Sequence, residues 1–394
     1  MYPTLYHLFL DLFGYAPKFL QIIPMFGFWV GVAFIVASWL GGRELKRRER
    51  LGFIKPTKKT VTIGKPASIM DLTMNGIYGF FIGFKLTPIF YQPNIFNDFP
   101  GYILSGEGNV IAGILVGAGL LYWRYRESGK EKLETPITKE IDVHAHEHMG
   151  NITLMAVAGG IGGAVIFATL EKPELIGEYL GKPSLGISHL YNGLTVYGGV
   201  IIAIIMCSYY FIKNKLNVAQ FLDALGPTVL LAYGIGRIGC QMSGDGDWGI
   251  DNLAPKPEWM AMLPDWMWAY DYPNNINGEG IPIAQEVCKF EPKYCFRLEN
   301  PVFPTPIYET LMSFSLFAII WNLRKKITTP MIMFSLYILV TGLERLLIER
   351  IRVNTEYESG FTQAEEISVG MIILGIFGLI FFYRRWKNKQ NALN

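Results

Sequence analysis

Long apolar runs constrain this chain more than any single motif does. Nine runs are candidates to span a bilayer, since a membrane helix needs about 20 mostly apolar residues. Only 17% of the 394 residues are charged, whereas soluble globular proteins carry about 25%. We therefore exclude a soluble enzyme and expect an all-α fold, a polytopic membrane helix bundle with about nine transmembrane helices. The runs lie at residues 19–42, 69–91, 109–123, 151–170, 193–212, 220–240, 303–323, 331–347 and 366–383.

The basic residues predict how the bundle is oriented. If the amino terminus lies outside, the five inner segments hold 23 of the 35 Lys and Arg residues. Positive charge concentrates in cytoplasmic loops, so we expect an outer amino terminus and a cytoplasmic carboxy terminus. The formal net charge of +2 gives the chain no overall attraction for nucleic acid, and no nucleic-acid partner is expected.

The longest outer segment, residues 241–302, is rich in Trp and Tyr. It is either a covering loop packed on its own rings or an arm that meets lipid or a protein substrate. Cys288 and Cys295 lie in this segment with six residues between them. An oxidising exterior allows them to pair, so we predict a disulfide, the alternative being two unpaired loop cysteines.

Ionisable side chains of separate runs fall at one depth, in the outer leaflet. Arg345 lies about 21 Å along a hydrocarbon core of roughly 30 Å when counted from Met331. Charges inside a bilayer are costly and usually functional, and guanidinium groups bind phosphate oxygens in pairs. The pattern favours a phosphate-headgroup site, the alternative being ion pairs that brace the bundle. The side chains concerned are Tyr197, Arg237, Glu309, Arg345, Glu349 and Arg352.

Two motifs in this region are rejected. Gly234, Gly236 and Gly239 spell GxGxxG, but a dinucleotide site needs a preceding strand, and these glycines lie in an apolar helix. They are better suited to close helix packing. Asp245 and Asp247 begin like a calcium loop, and the pattern then fails.

A third motif, His144-Ala-His146-Glu-His148, lies at the inner mouth of the fourth run. It is either a metal site or a solvated, partly protonated loop. The second reading is preferred because no Cys or separate His completes a tetrahedral set nearby. We therefore expect no metal and no cofactor.

Taken in order, five segments resemble the prolipoprotein diacylglyceryl transferase family of bacteria. The match is to its G-R-x-G signature with a following W-G, to H-P-x-x-x-Y-E, to R-x-x-x-E-x-x-R and to two glycine pairs. The segments are Gly236-Arg237-Ile238-Gly239 with Ser243-Gly244-Asp245 and Trp248-Gly249, Phe303 to Glu309, Arg345 to Arg352, Gly193 to Gly199, and Gly159 to Gly163.

The resemblance implies a multi-pass protein of the bacterial inner membrane, with a seven-helix core and an extra helical hairpin at 69–125. Its implied segments begin with an interfacial stretch and first core span, 1–42, and an inserted hairpin with basic inner loops, 43–150. The others are core spans carrying Tyr197 and Arg237, 151–240, an outer arm, 241–302, and core spans with an inner tail, 303–394.

The family reaction moves a diacylglyceryl group from phosphatidylglycerol to the lipobox cysteine thiol of a preprolipoprotein, giving a thioether and glycerol phosphate. The resemblance therefore implies three partners: phosphatidylglycerol, preprolipoprotein signal peptides and the bilayer. Arg237 and Arg345 would bind the headgroup phosphate, and Glu349 would orient Arg345 or Arg352. Tyr197 stands where the family has histidine and would act as a hydrogen-bond donor or as the base. Further substrate contacts are expected from Gly198, Gly199, Ser243, Gly244, Asp245, Asp247, Tyr308, Glu309 and Arg352.

Departures from the family pattern leave alternatives. Besides Tyr197, Cys240 and Ser243 replace the two signature asparagines, Asp245 replaces a glutamate and Phe26 a tyrosine. Asp245 or Glu309 would then be alternative acceptors of the thiol proton. A non-catalytic membrane lipid- or lipoprotein-binding relative is the second hypothesis, and its basis is the missing histidine. An ion-coupled transporter is disfavoured because no continuous polar path crosses the runs.

Overall fold

The computed structural model describes residues 1–92, 95, 102, 106–130, 133, 135–171, 196–284, 286–288, 290–353 and 360–391, with the backbone alone at residues 63, 171, 196 and 197. Within these residues the chain is mostly helical. The helices are α1 (Leu5–Phe13), α2 (Met25–Arg50), α3 (Ile69–Leu86), α4 (Val110–Lys130), α5 (Met149–Glu171), α6 (Val196–Lys213), α7 (Val218–Ser243), α8 (Thr305–Leu323), α9 (Ile332–Glu349) and α10 (Gln363–Asn391).

Each predicted apolar run coincides with one of the helices from α2 to α10. Four helical segments are long and apolar enough to cross a membrane by their length and composition, and Gly198–Lys213 is a shorter apolar helix. These segments support a helical membrane protein, whereas the count of nine spans stays a prediction. The four are Met25–Arg50, Ala145–Leu170, Val218–Ser243 and Gln363–Asn391.

Helix α2 continues eight residues beyond the run at 19–42. The additional turns hold good helix formers, and Glu44 pairs with Arg47 at 2.6 Å and Arg48 at 3.1 Å. Such pairs three and four residues apart stabilise a helix. The basic segment that follows the first run is therefore partly helix rather than loop.

The expectation of an all-α chain was incomplete, because the structure contains two small antiparallel sheets. Strand β1 (Thr57–Ile63) pairs with β2 (Ile137–Val143), and β3 (Ile281–Pro282) pairs with β4 (Phe296–Arg297). β1 and β2 combine Thr, Val and Ile with charged residues, and the β-branched residues fit a pleated surface. Segments treated as basic loops therefore form a ribbon, on which Lys58 and Glu140 pair at 3.4 Å.

The described residues form two compact units. One contains Met1–Lys55 and Leu216–Asn394, and the other contains Pro56–Lys215. In the second unit, α3 and α4 pack antiparallel through small residues. A Cβ at Gly79 would lie 2.8 Å from the Gly117 backbone, and one at Gly83 would lie 2.3 Å from the Ala112 carbonyl oxygen. Backbones can approach this closely only where side chains are absent.

Helix α7 is central to the first unit, where it packs against α2, α8 and α9, while α10 packs on α9. Its glycines permit these contacts, as the sequence predicted. A Cβ at Gly239 would lie 3.2 Å from Phe26 Cα on α2, and one at Gly234 would lie 2.9 Å from the Phe314 ring on α8. Leu230 of α7 shares a buried apolar cluster with Ile320 and Met333.

A polar network surrounds the amino-terminal end of α7. Arg48 of α2 donates to Gln220 at 2.6 Å and lies 3.7 Å from Asp223. The Asp223 carboxylate accepts the backbone N–H groups of Met331 at 2.7 Å and Phe334 at 2.8 Å, which satisfies free donors at the start of α9. This basic end of the unit is opposite the carboxy-terminal end of α7.

The segment between α7 and α8 is ordered by its aromatic residues and by a disulfide. Trp248, Tyr272 and Val302 form a buried cluster, whereas Trp259 is 78% exposed. The segment thus contains both a packed base and an exposed apolar tip. The predicted disulfide, Cys288 with Cys295, is present with a Cα–Cα distance of 5.8 Å.

Candidate active site: an arginine–carboxylate cluster

A tight turn after α7 brings two residues of the glycine-rich signature together. The Ser243 hydroxyl donates to the Gly239 carbonyl at 2.8 Å, and Gly244 ends the helix with φ +62°. Glycine adopts this left-handed conformation without the steric cost that a Cβ brings. The chain reverses, and the Asp247 carboxylate accepts a hydrogen bond from Arg237 Nη1.

Glu309, in the first turns of α8, also contacts Arg237. Its side chain is fully buried and lies 2.6 Å from Arg237 Nε and 3.3 Å from Arg352 Nη1. The Tyr233 hydroxyl donates to Glu309 Oε2, the oxygen that Arg237 also approaches. Thr305 fixes the start of α8 by donating to the Asp247 carbonyl at 2.7 Å.

Arg352 arrives just beyond the end of α9 and also donates to Asp247. Its backbone pairs with Gly249 in an isolated antiparallel bridge. A Cβ at Gly249 would lie 2.3 Å from the Ile351 carbonyl oxygen, so the bridge requires glycine. We call Arg237, Asp247, Glu309 and Arg352 the arginine–carboxylate cluster.

The pKa values of the two loop aspartates are shifted in opposite directions. Burial opposes ionisation of Asp247, but the guanidinium groups of Arg237 and Arg352 outweigh it and hold its pKa below the ordinary value. Burial raises the pKa of Asp245, and the neighbouring Asp247 carboxylate raises it further. Asp247 is therefore a fixed anion of the cluster, whereas Asp245 holds a proton more readily.

Arg345 lies on α9, seven residues before Arg352 in the sequence. Its Nη2 is 3.1 Å from Glu349, and Glu349 accepts from the Thr362 hydroxyl at 2.5 Å. Arg345 Nη1 and Arg352 Nε are buried and have no hydrogen-bond acceptor among the described residues. Buried donors are normally satisfied, so these two N–H groups indicate where an anionic ligand would bind.

Glu344, immediately before Arg345, was not anticipated as a site residue. It is 2% exposed, and neither carboxylate oxygen has a hydrogen-bond partner within the described part of the chain. It interacts electrostatically with Glu309 and with Arg237, Arg345 and Arg352. A carboxylate inside an apolar run was the available signal, since such charges are costly in a bilayer.

Cys240, Asp245 and Asp247 place their ligand atoms within 4.8 Å of one another, the kind of group that could hold a metal ion. The Cys240 thiol donates toward Asp247 at 3.6 Å. Both Asp247 oxygens, however, already accept from guanidinium groups. A divalent cation would have to displace Arg237 and Arg352, so we assign Asp247 to the cluster rather than to a metal.

Other predicted site residues have contacts of their own. The Tyr308 hydroxyl donates to the Met267 carbonyl at 2.7 Å and ties α8 to the outer segment. Gly198 and Gly199 belong to the second unit, where they pack α6 on α5. A Cβ at Gly199 would lie 2.6 Å from the Gly160 carbonyl oxygen. The Tyr197 side chain, like residues 193–195 of its motif, lies outside the described residues.

The sequence profile of one family, prolipoprotein diacylglyceryl transferase, matches residues 109–381, more than half of the chain. The chain belongs to this family. The matched region contains the whole arginine–carboxylate cluster, together with Glu344, Arg345 and Glu349. Both the resemblance predicted from the motifs and the transferase class are thereby confirmed.

Individual relatives have the same description. The chain is 26% identical over 296 residues to the phosphatidylglycerol–prolipoprotein diacylglyceryl transferase of Leptospira interrogans, covering 63% of this chain and 83% of the relative. It is 27% identical over 290 residues to the enzyme of that name from Clostridium tetani, covering 73% and 96%. A Dehalococcoides mccartyi enzyme of that name is 25% identical over 285 residues, covering 72% and 89%.

Proposed function

We propose that this protein transfers a diacylglyceryl group from phosphatidylglycerol to the lipobox cysteine thiol of preprolipoproteins. The products are a thioether and glycerol phosphate. The family and the names of the relatives support the reaction. The observation that carries it is structural: Arg237 of α7 and Arg352, just beyond α9, meet at Asp247 and Glu309. In addition, the buried Arg345 Nη1 and Arg352 Nε have no hydrogen-bond acceptor among the described residues.

The phosphate of the lipid headgroup would bind at these N–H groups. Arg345 gives Nη2 to Glu349 and keeps Nη1 for the ligand, and Arg352 contributes Nε. Arg237 is shared by Asp247 and Glu309, so it supplies positive charge at a fixed position beside the ligand. Charge-assisted hydrogen bonds of this kind are about twice as strong as neutral ones.

The arrangement suits the chemistry of the transfer. The substrate thiol must lose its proton, because the thiolate is the nucleophile. Its sulfur then bonds to the glycerol carbon that carries the phosphate, the carbon–oxygen bond breaks, and the electron pair leaves on the phosphate oxygen. Arginines fixed in a water-poor site stabilise the charge that develops on that oxygen.

Further residues are assigned supporting roles in the proposal. Glu349 orients Arg345, and Tyr197 donates a hydrogen bond or takes the thiol proton. Asp245 remains an alternative acceptor, while Glu309 is disfavoured because two arginines and a tyrosine already bind it. The other substrate contacts proposed are Gly198, Gly199, Ser243, Gly244, Asp247, Tyr308 and Arg352.

We also propose that the cluster faces the periplasm from the bacterial inner membrane, with the amino terminus periplasmic and the carboxy terminus cytoplasmic. In the first unit, Arg48 and Asp223 lie at one end of α7 and Arg237 at the other. The 14 residues from Asp223 to Arg237 correspond to about 21 Å of helix. Basic residues favour the cytoplasmic end, which supports an outer position for Arg237.

The proposal is tested by thioether formation on a lipobox peptide, using the purified protein and phosphatidylglycerol vesicles. Replacing Arg345 with Gln should lower the rate about 100-fold to 1,000-fold, as loss of one transition-state donor does. Arg350→Gln is the matched control, since Arg350 is exposed on the same helix end, and should keep the wild-type rate. Equal rates for the two variants would remove Arg345 from the mechanism.

The same assay separates the enzyme from a non-catalytic lipid-binding relative. An enzyme consumes phosphatidylglycerol and releases glycerol phosphate in proportion to the thioether formed. A binder retains the vesicle lipid without either product. Tyr197→Phe tests the remaining assignment, and an unchanged rate would show that neither the proton nor a needed hydrogen bond passes through the Tyr197 hydroxyl.

A further inference from the structure

The carboxylates near the arginines differ in how many hydrogen bonds and ion pairs they already make. Asp247 accepts from Arg237 and Arg352. Glu309 binds the same two arginines and also Tyr233. Each must give up an ion pair to take a proton, and breaking a buried ion pair is strongly unfavourable. Glu349, held by Arg345 and Thr362, is restricted in the same way.

Glu344 differs from these three. It is about as buried as Glu309 and Glu349, at 2% exposure, but neither of its oxygens has a hydrogen-bond partner among the described residues. A buried carboxylate without a donor is costly to keep ionised. It can therefore gain a proton without breaking any observed contact, which distinguishes it chemically from its neighbours.

Its surroundings fit the reaction. Glu344 interacts electrostatically with Arg237, Arg345 and Arg352, and with the Glu309 carboxylate, as well as with Tyr233. It is directly adjacent in sequence to Arg345, the guanidinium with a buried N–H group open to a ligand. Glu344 therefore lies within electrostatic range of charged groups on α7, α8 and α9, next in sequence to a proposed phosphate ligand.

Unmet hydrogen-bonding capacity extends onto the facing helix. Ser313 lies one turn after Glu309 on α8, is fully buried, and its hydroxyl has no partner in the described residues. Ser313 packs closely on α7, because a Cβ added at Gly234 would lie 3.0 Å from the Ser313 Cβ. Ser313 is therefore a second buried polar residue, besides Glu344, whose side chain has no hydrogen-bond partner among the described residues.

We propose that Glu344 is a catalytic residue, the acceptor of the substrate thiol proton. The inference rests on the function proposed above and names its base. The S–H bond of the cysteine breaks and its proton bonds to a Glu344 carboxylate oxygen. The sulfur then attacks the glycerol carbon, and the carbon–oxygen electron pair leaves with the phosphate. The proton passes from Glu344 to that phosphate or to water, which restores the carboxylate.

The test compares a cysteine peptide with a selenocysteine peptide of the same sequence, in the wild type and in Glu344→Gln. A selenol is ionised at neutral pH without a base, so it bypasses the proposed step. We expect Glu344→Gln to lower transfer to the cysteine peptide about 100-fold or more, a typical contribution of a general base, while transfer to the selenocysteine peptide stays within a few fold of the wild type. The rate of the variant on cysteine should also rise steadily with pH.

Other outcomes overturn the proposal. Equal losses on both peptides would mean that Glu344 acts structurally, and an unchanged cysteine rate would mean that it takes no part. Asp245→Asn is tested in parallel, and selective rescue by selenocysteine in that variant alone would assign the base to Asp245. If Glu344→Gln does not fold, Glu344→Asp is used, which should keep the carboxylate and change the pH profile of the cysteine reaction alone.

The controls keep the inference separate from the function on which it rests. A wild-type protein that forms no thioether with either peptide contradicts the proposed transferase reaction. A wild-type protein that is active on both peptides, together with a fully active Glu344→Gln variant, contradicts the base assignment alone. Thermal unfolding in detergent confirms that the compared variants are folded.

Discussion

Glu309→Gln is the most direct test of the arginine–carboxylate cluster, because it removes one charge and almost no volume. Glu309 is fully buried and neutralises parts of two guanidinium groups, at 2.6 Å from Arg237 and 3.3 Å from Arg352. The variant leaves two buried arginines to share Asp247. Removing one partner of a buried ion pair destabilises proteins by about 3–5 kcal/mol.

The expected loss is large enough to measure by thermal unfolding in detergent. A chain of 394 residues has an unfolding entropy of about 0.8 kcal/mol/K, so each kcal/mol shifts its midpoint by about 1 °C. The midpoint should therefore fall by on the order of 5 °C. Glu140→Gln is the matched control, because its pair with Lys58 is 63% and 72% exposed. Exposed pairs contribute little, so the control midpoint should move by no more than about one degree.

The outcome that would refute this reasoning is a Glu309→Gln midpoint indistinguishable from that of the control. The two guanidinium groups would then be compensated by water or by other carboxylates, and the cluster would not be a closed ion-pair network. A double variant that also removes Arg352 gives a second measurement. If the pair is coupled, the second substitution costs less in the Glu309→Gln background than in the wild type.

Three further predictions concern the loop residues around the cluster. The pKa of Asp247 is lowered in the folded protein, so ionised Asp247 stabilises the fold above the ordinary Asp pKa of about 3.9, and this stabilisation is lost as the pH falls below it. In Asp247→Asn the unfolding midpoint should therefore fall less steeply with decreasing pH than in the wild type. An unchanged pH dependence would contradict this. Alkylation of denatured, unreduced protein should label two of the four thiols, with Cys288 and Cys295 protected as a disulfide; four labels would disprove the bond. Gly249→Ala, whose Cβ would overlap a backbone carbonyl at 2.3 Å, should lower thioether formation strongly, whereas Gly119→Ala, with open space around it, should not, and similar activities would exclude the bridge as a positioning element.

Several features of the fold could be read from local sequence. The runs of apolar residues coincide with long helices because burial from water and intrahelical hydrogen bonding both act along contiguous residues. The close approach of α7 to α2 and α8 followed from Gly239 and Gly234, since a missing side chain has the same effect in any fold. The strands β1 and β2 were not predicted, because their pairing joins residues about 80 positions apart and their many Thr and charged residues are also typical of a polar loop.

The candidate site, like the fold, could be predicted only in part from the sequence. Its arginines and Glu309 could be named from sequence, because an ionisable group in an apolar run is expensive wherever the run is placed. Their partners could not. The sequence suggested that Arg237 and Arg345 act as a pair, whereas the folded chain joins Arg237 to Arg352 through Asp247 and Glu309.

The helices, the family and most residue types of the site could thus be recognised from local sequence. The folded chain was needed to show which charges neutralise one another, and that Glu344 remains without a hydrogen-bond donor among the described residues. These two kinds of information differ in the distances over which they act. Helix formation and the cost of burying a charge depend on a residue and its neighbours in sequence, whereas compensation of that charge depends on distances of a few ångströms between separate helices.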